Sequence, residues 1–322
     1  TAEAWSPFGQ AVILILIQVG GLGLMTMSTL IALLLGKRIT LRERLLIQVS
    51  LQEFSLSGLV RLTRYVLLAT LMLEAIGTLI LTLRFGPEHG WRRGLWLGVF
   101  HAVSAFNNAG FDLFGNSLID YVGDVTVIGT IAGLIMLGGL GFSVLVDLFR
   151  WPRVGWRGLS LHSKVVLSAT AALVVVPTLA ILAFEYNNPA TLAGLGWKDK
   201  LLAAFFQAVT PRTAGFNSLA IDGMRAPSLL LMTILMFIGG SPGSTAGGIK
   251  TTTAMTILSV VRATLAGSDD VELFQRRLDR SVTDRALTVF LAASLVVMTA
   301  TMLLLIADGY DLMATLFEVV SA

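Results

Sequence analysis

Residues 165–184, VVLSATAALVVVPTLAILAF, carry no charge, and neither do residues 286–307. Wound as helices, such runs measure about 30 Å or slightly more, the thickness of a bilayer's hydrocarbon core. Inside hydrocarbon every backbone N–H and C=O needs a partner within the protein, and a helix supplies it locally. Six spans are expected, at roughly 8–35, 65–85, 122–149, 165–185, 227–265 and 286–307. Charged residues are only 13% of the chain and gather between these runs, whereas a soluble protein would spread them over its surface. The expected fold class is an all-α integral membrane protein.

The basic residues give an orientation. Lys37, Arg38, Arg42, Arg44, Arg61 and Arg64 share one loop; Arg150, Arg153, Arg157 and Lys164 another; Arg262, Arg276, Arg277, Arg280 and Arg285 a third. Lys and Arg mark cytoplasmic loops, which accounts for the net charge of +3 without nucleic acid. Three shorter amphiphilic segments, roughly 94–106, 198–210 and 311–322, then fall on the outer side. Each is too short to cross, so each is expected to be re-entrant. The absence of cysteine excludes disulfides and thiolate chemistry, and His89, His101 and His162 have no metal-ligand spacing.

The short segments resemble one another. Phe100-His-Ala-Val-Ser-Ala-Phe106 is similar to Phe206-Gln-Ala-Val-Thr210 and to Phe317-Glu-Val-Val-Ser-Ala322. Gln18-Val-Gly-Gly-Leu-Gly23 matches Leu137-Gly-Gly-Leu-Gly141, and Phe237-Ile-Gly-Gly240 begins the same way. The chain therefore reads as span, short segment, span, repeated. The expected division is a second span of repeat 1 at 1–36, a cytoplasmic linker at 37–64, repeat 2 at 65–150, repeat 3 with a broken last span at 151–266, a linker at 267–285, and the first span and pore helix of repeat 4 at 286–322. Two full units flanked by two halves imply pseudo-fourfold repeats of helix, re-entrant pore loop and helix around a central pore, incomplete at both ends here.

Each of the first two short segments runs into a similar motif: Asn107-Asn108-Ala109-Gly110-Phe111-Asp112, and Arg212-Thr213-Ala214-Gly215-Phe216-Asn217. A cation entering the membrane must exchange its hydration shell for other oxygens, and rings of backbone carbonyls can supply them. Aiming successive carbonyls at one axis needs dihedrals that glycine tolerates. A tight turn between helices is the plainer reading of either motif alone.

These residues carry a family resemblance. Phe106-Asn-Asn-Ala-Gly-Phe-Asp112, Thr210-Pro-Arg-Thr-Ala-Gly-Phe-Asn217 and Gly239-Gly-Ser-Pro-Gly-Ser-Thr-Ala-Gly-Gly-Ile-Lys-Thr251 resemble the Trk/Ktr/HKT superfamily of potassium transporters, most of all the bacterial Ktr membrane subunit. The resemblance covers essentially the whole chain. It implies potassium uptake through one pore, with filters centred on Gly110 and Gly215 and potassium held by filter carbonyls. The family's first and fourth filters and its last span fall outside this sequence. It also implies a plasma-membrane (inner-membrane) location amid lipid, a homodimer, a separate cytosolic nucleotide-binding ring and, in many members, sodium dependence. No cofactor is expected in this chain, and no enzyme activity.

The fifth apolar run is interrupted by Gly239, Gly240, Ser241, Pro242, Gly243, Ser244, Thr245, Ala246, Gly247, Gly248 and, beyond Ile249, Lys250. Glycine and proline break the helical ladder, and broken helices at mid-membrane are typical of transport sites. The resemblance implies a mobile gating loop below the filter. Small residues four apart also favour close helix packing. A phosphate loop fits badly, because Ile249 spoils the spacing and no strand precedes it.

Glu74 lies inside an apolar run, where a carboxylate is either functional or a structural partner for a neighbouring helix. Asp112 and Asn217 stand at the outer mouth, either concentrating cations or simply ending loops. Arg212, beside a cation filter, is expected to point away and tie the backbone to a neighbour. The basic loops are either a docking surface for the ring or topology signals alone. The competing function is a sodium-coupled secondary carrier of a small organic solute, which would be expected to have inverted repeats. A membrane-embedded enzyme would need clustered intramembrane His, Asp or Glu, and only Glu74 is clearly inside a span.

Overall fold

The computed structural model describes residues 5–23, 59–268, 270–309 and 311–322. The latter part of the first expected span and most of the linker expected at 37–64 lie outside the described residues; residues 59–64 are helical. Helix α1 (Pro7–Leu22) starts at Ser6, whose hydroxyl accepts from the Gly9 amide, and carries its proline at the first position, where no amide is needed.

Helix α2 (Leu59–His89) reverses at Gly90 (φ 81°) into α3 (Trp91–Phe106), which packs back along it. The approach is close because the contact is made of small residues: a β-carbon on Gly94 would sit 2.7 Å from the Gly86 Cα.

The run at 122–149, expected as one span, is broken. Helix α4 (Val125–Leu140), capped by the Asp124 carboxylate, is followed by Gly141 (φ 90°) and α5 (Phe142–Val154), and the two meet at 106°. Gly138, Gly139 and Gly141 weaken the helix locally, and partners from elsewhere in the chain take the freed backbone groups.

Helix α6 (Leu161–Glu185), long and apolar enough to cross a membrane, reverses into α7 (Trp197–Val209). Buried Glu185 ties the end of α6 to the start of α8 (Ala226–Phe237). It accepts from Ser228 Oγ, the Arg225 amide (2.9 Å), Asn188 Nδ2 (2.6 Å) and Thr191 Oγ1 (2.7 Å). Helix α8 has 12 residues, about 18 Å of rise, so it stops short of a full crossing. The chain then runs as loop from Ile238 to Lys250 and resumes as α9 (Thr251–Leu265), so the break expected in this run is present. A two-residue hairpin, β1 (Glu272–Leu273) with β2 (Arg276–Arg277), precedes α10 (Arg280–Asp308), which returns as α11 (Leu312–Ser321).

Three times, then, a long helix turns back as a short one, at the places where short segments were expected. Phe85, Phe100, Phe106, Phe206 and Phe216 are the largest fully buried side chains and pack with Ile128 and Ile131, so the core sits where α2, α3, α4, α7 and the segment after α7 converge. Outward, Leu71, Leu79 and Leu83 on α2, Val175, Val176 and Leu179 on α6, and Leu291, Leu295 and Met302 on α10 are exposed. Such faces would be a liability in water, and hydrocarbon is their solvent.

Candidate functional site

The two Ala-Gly-Phe segments leave the C-terminal ends of α3 and α7 with the same construction. In the first, Asn108 (φ 51°) and Gly110 (φ 73°) are left-handed; in the second, Thr213 (φ 67°) and Gly215 (φ 78°) are. Left-handed residues at alternate positions interrupt both helix and strand, so each segment leaves its helix as irregular backbone. A hydroxyl at the end of each short helix braces the segment: Ser104 Oγ donates to the Phe111 carbonyl at 2.8 Å, and Thr210 Oγ1 to the Phe216 carbonyl at 2.5 Å.

The segments touch each other. A β-carbon on Gly110 would lie 2.6 Å from the Ala214 carbonyl oxygen. Further out, the Leu118 amide donates to the Asn217 carbonyl and the Asn217 amide to Ser117 Oγ, both at 2.8 Å. Asp112 accepts from the Phe114 and Gly115 amides at 2.9 and 2.7 Å, so it braces a turn at the outer end of the first segment. A cavity of about 350 Å³ runs beside the second segment, with Ala109, Thr213 and Gly215 on one side and Phe317 and Ser321 of α11 on another.

The loop Ile238–Lys250 seats against the broken span and reaches both segments. The Ser241 amide donates to the Gly139 carbonyl (3.0 Å), the Thr245 amide to the Gly138 carbonyl (3.2 Å), and the Phe142 amide to the Gly243 carbonyl (2.9 Å). Thr245 Oγ1 accepts from Asn108 Nδ2 at 2.8 Å and donates to the Phe106 carbonyl at 3.0 Å. On the other side, the Gly247 amide donates to Thr213 Oγ1 at 3.2 Å. The loop also holds itself: Lys250 Nζ donates to the Ala246 carbonyl (2.8 Å), and Ser244 Oγ to the Ser241 carbonyl (2.6 Å). Its glycines are needed for space, since a β-carbon on Gly239 would fall 2.0 Å from the Gly247 carbonyl oxygen and one on Gly240 2.3 Å from the Ala246 Cβ.

Behind the first segment stands Asn107. Its Nδ2 faces Glu74 Oε1 on α2 and the Val103 carbonyl, each at 2.9 Å, and Gln18 Oε1 on α1 at 3.3 Å. Gly21 packs so closely that its β-carbon would overlap Asn107 Oδ1. Glu74 and Asn107 are both buried, so Glu74 partners a neighbouring helix end. Arg212 is buried too, and its Nη2 lies 3.5 Å from Thr170 Oγ1 on α6. His101 is fully buried, stacked on Phe114 with ring centroids 4.5 Å apart. Its Nδ1 lies 2.8 Å from the Leu97 carbonyl, and its Nε2 accepts from the Leu113 amide, which places the hydrogen on Nδ1.

Paired Gly-centred segments, each after a short helix and both bonded to the loop Ile238–Lys250, form an arrangement suited to handling a cation. The TrkH family model, described as a cation transport protein, matches residues 1–322. The chain belongs to the TrkH family. This TrkH-family chain is 42% identical over 322 residues to the Ktr system potassium uptake protein B of Bacillus subtilis (strain 168), covering all of this chain and 72% of that one. It is 36% identical to the Ktr system potassium uptake protein B of Vibrio alginolyticus, with 100% and 71% covered. It is 38% identical over 328 residues to the potassium/sodium uptake protein NtpJ of Enterococcus hirae, with 100% and 72% covered. The crystal structure of the potassium transporter TrkH from Vibrio parahaemolyticus matches with a TM-score of 0.70 at 18% identity, over 96% of this chain and 62% of that one. The fold is therefore that of the family, and the protein is an ion-transport protein rather than an enzyme.

Several residues of this site were not singled out from the sequence of the TrkH-family chain. Ser104 and Thr210 had a signal, since each stands four places after Phe100 or Phe206, as Ser321 does after Phe317. Gly138, Gly139 and Gly141 were noted only as a repeated motif. Gln18 had only its place at the head of the repeated glycine motif and its polarity within an apolar run.

Proposed function

We propose that this chain forms the membrane pathway of a potassium uptake system, with Asn107–Phe111 and Arg212–Phe216 as two of its filter segments and Gly239–Lys250 as its gate. The observation that carries this reading is the loop's attachment to both segments at once, through Thr245 to Asn108 and through Gly247 to Thr213. A loop bonded to two adjacent filters lies where an ion leaving either must pass. The carbonyls of Asn108–Phe111 and Thr213–Phe216 dehydrate the ion, and Asp112 and Asn217 stand at the outer mouth.

The names of the relatives support potassium as the transported ion, and one of them adds sodium. The remaining elements of the reading are a plasma-membrane location, a homodimer, sodium dependence and a cytosolic nucleotide-binding ring docked on the basic loops. The carrier of organic solutes is not favoured, because the basic loops give the three helix pairs one membrane orientation, whereas such carriers are expected to have inverted repeats.

The test is rubidium uptake by the full-length protein in a host lacking its own potassium uptake, with Gly110→Ser and Gly215→Ser variants that reach the membrane in equal amount. Weakened affinity or potassium-over-sodium preference in both variants is expected. Parental behaviour in both would reduce the two segments to turns.

A further inference from the structure

A cavity of about 380 Å³ separates α2 from α5. Ala69 and Met72 wall it on α2, and Leu145 and Phe149 on α5. Two polar groups, Tyr65 and Arg150, line it as well. Tyr65 begins the apolar stretch of α2 and Arg150 lies near the end of α5, so both belong to the membrane face that carries the basic loops, the cytoplasmic one. The shape and chemistry are those of an amphiphile's site, apolar along its length and cationic at one end.

The surroundings specify the charge of that amphiphile. Arg150, Arg153 and Arg157 are exposed at this end, together with Trp151 and Trp156, whose rings meet edge-on at 6.4 Å. Between Leu148 and Lys164 there is no acidic residue. Next before them in the chain, Asp147 accepts from Ser160 Oγ at 2.7 Å and Ser163 Oγ at 2.6 Å. Tryptophan settles at headgroup level, and clustered arginine there attracts anionic lipid. The 106° bend at Gly141 turns α5 across the direction of α4, as a helix lying in the interface requires.

We propose that the groove between α2 and α5 binds an anionic phospholipid of the cytoplasmic leaflet, with an acyl chain in the cavity and its phosphate at Arg150. The bound chain packs on Phe142, which lines the cavity and donates its amide to the Gly243 carbonyl of the intramembrane loop. The lipid therefore touches the residue that anchors the loop.

The experiment is native mass spectrometry of the full-length protein in mild detergent, offered equal amounts of phosphatidylglycerol and phosphatidylcholine. Preferential retention of phosphatidylglycerol is expected. Arg150→Gln lowers it about fivefold, the value of one cationic side chain near a headgroup. Ala69→Phe fills the cavity, keeps every charge and abolishes retention of both lipids. Arg93→Gln, at the other membrane face, retains lipid as the parent does. Arg150→Gln alters no packed surface, so it tests the headgroup contact even if Ala69→Phe does not fold. Equal retention of the two lipids, or parental retention in Arg150→Gln or in a folded Ala69→Phe, overturns the proposal. A parent that retains neither lipid, as a groove reserved for a protein segment would, overturns it too.

Discussion

A β-carbon placed on Gly110 would lie 2.9 Å from the Gly215 Cα, and one placed on Gly215 would lie 3.3 Å from the Gly110 Cα. The two candidate filter backbones thus touch at their glycines, and they do so unequally. Both residues have positive φ, where any side chain costs about 1–2 kcal/mol. Gly110 bears a second cost, because its β-carbon would also meet the Ala214 carbonyl oxygen at 2.6 Å. Gly110→Ala is therefore expected to weaken potassium-over-sodium preference more than Gly215→Ala, by about tenfold for each additional 1.4 kcal/mol of strain. Competitive rubidium uptake measures this, and equal losses would show that the contact with Ala214 does not matter.

Thr245 makes two hydrogen bonds to the first candidate filter, one from Asn108 and one to Phe106. Each contributes about 0.5–1.5 kcal/mol. Thr245→Val keeps the shape and removes both bonds, so resting uptake should rise by about tenfold. Thr245→Ser should return it to the parental level. Unchanged resting uptake in the valine variant would mean that this side chain does not hold the gate.

Glu74 and Asn107 give a stability prediction. Glu74→Ala leaves the buried Asn107 amide without its α2 partner, a loss of about 1–3 kcal/mol. Glu74→Gln preserves an acceptor oxygen and should recover most of it. Thermal unfolding of the purified protein reads the difference; identical midpoints for the two variants would assign the contact no energetic weight.

Glu185→Ala should cost more than Glu74→Ala, because Glu185 accepts four hydrogen bonds rather than one. Two of those bonds join α6 to the start of α8, the other two hold the turn after α6, and none involves either candidate filter. Ion preference should therefore stay parental in protein that reaches the membrane, while the melting temperature falls. A changed preference at parental stability would contradict this assignment.

The break at Ile238–Lys250 was legible because its cause is local: five glycines and a proline cannot continue a helix. The bend at Gly141 was not, although it rests on glycines too. Its flanks are as apolar as any span, and the groups that make the bend tolerable come from Ser241, Gly243 and Thr245, about a hundred residues later. Glu74 was conspicuous as a carboxylate among apolar residues, but its partner is 33 positions away and is settled by helix packing. The positions of Gly110 and Gly215 were readable from repetition alone; their contact with each other is tertiary and was not. Sequence patterns report what neighbours along the chain require, and the seat of the loop is built between distant elements.

The seat has one more consequence. In an uninterrupted helix the Phe142 amide would bond to the Gly138 carbonyl, four residues back. Here both groups are engaged by the loop instead, the amide by Gly243 and the carbonyl by Thr245. The loop and the helix thus compete for the same two groups, and a seated loop demands a kinked span. If the loop leaves, those groups must find water or find each other, and in the second case α4 and α5 straighten into one rod. If the loop is the gate proposed above, its withdrawal and the realignment of a neighbouring helix would be one event, carried along α5 to the end where Arg150 and Arg153 lie.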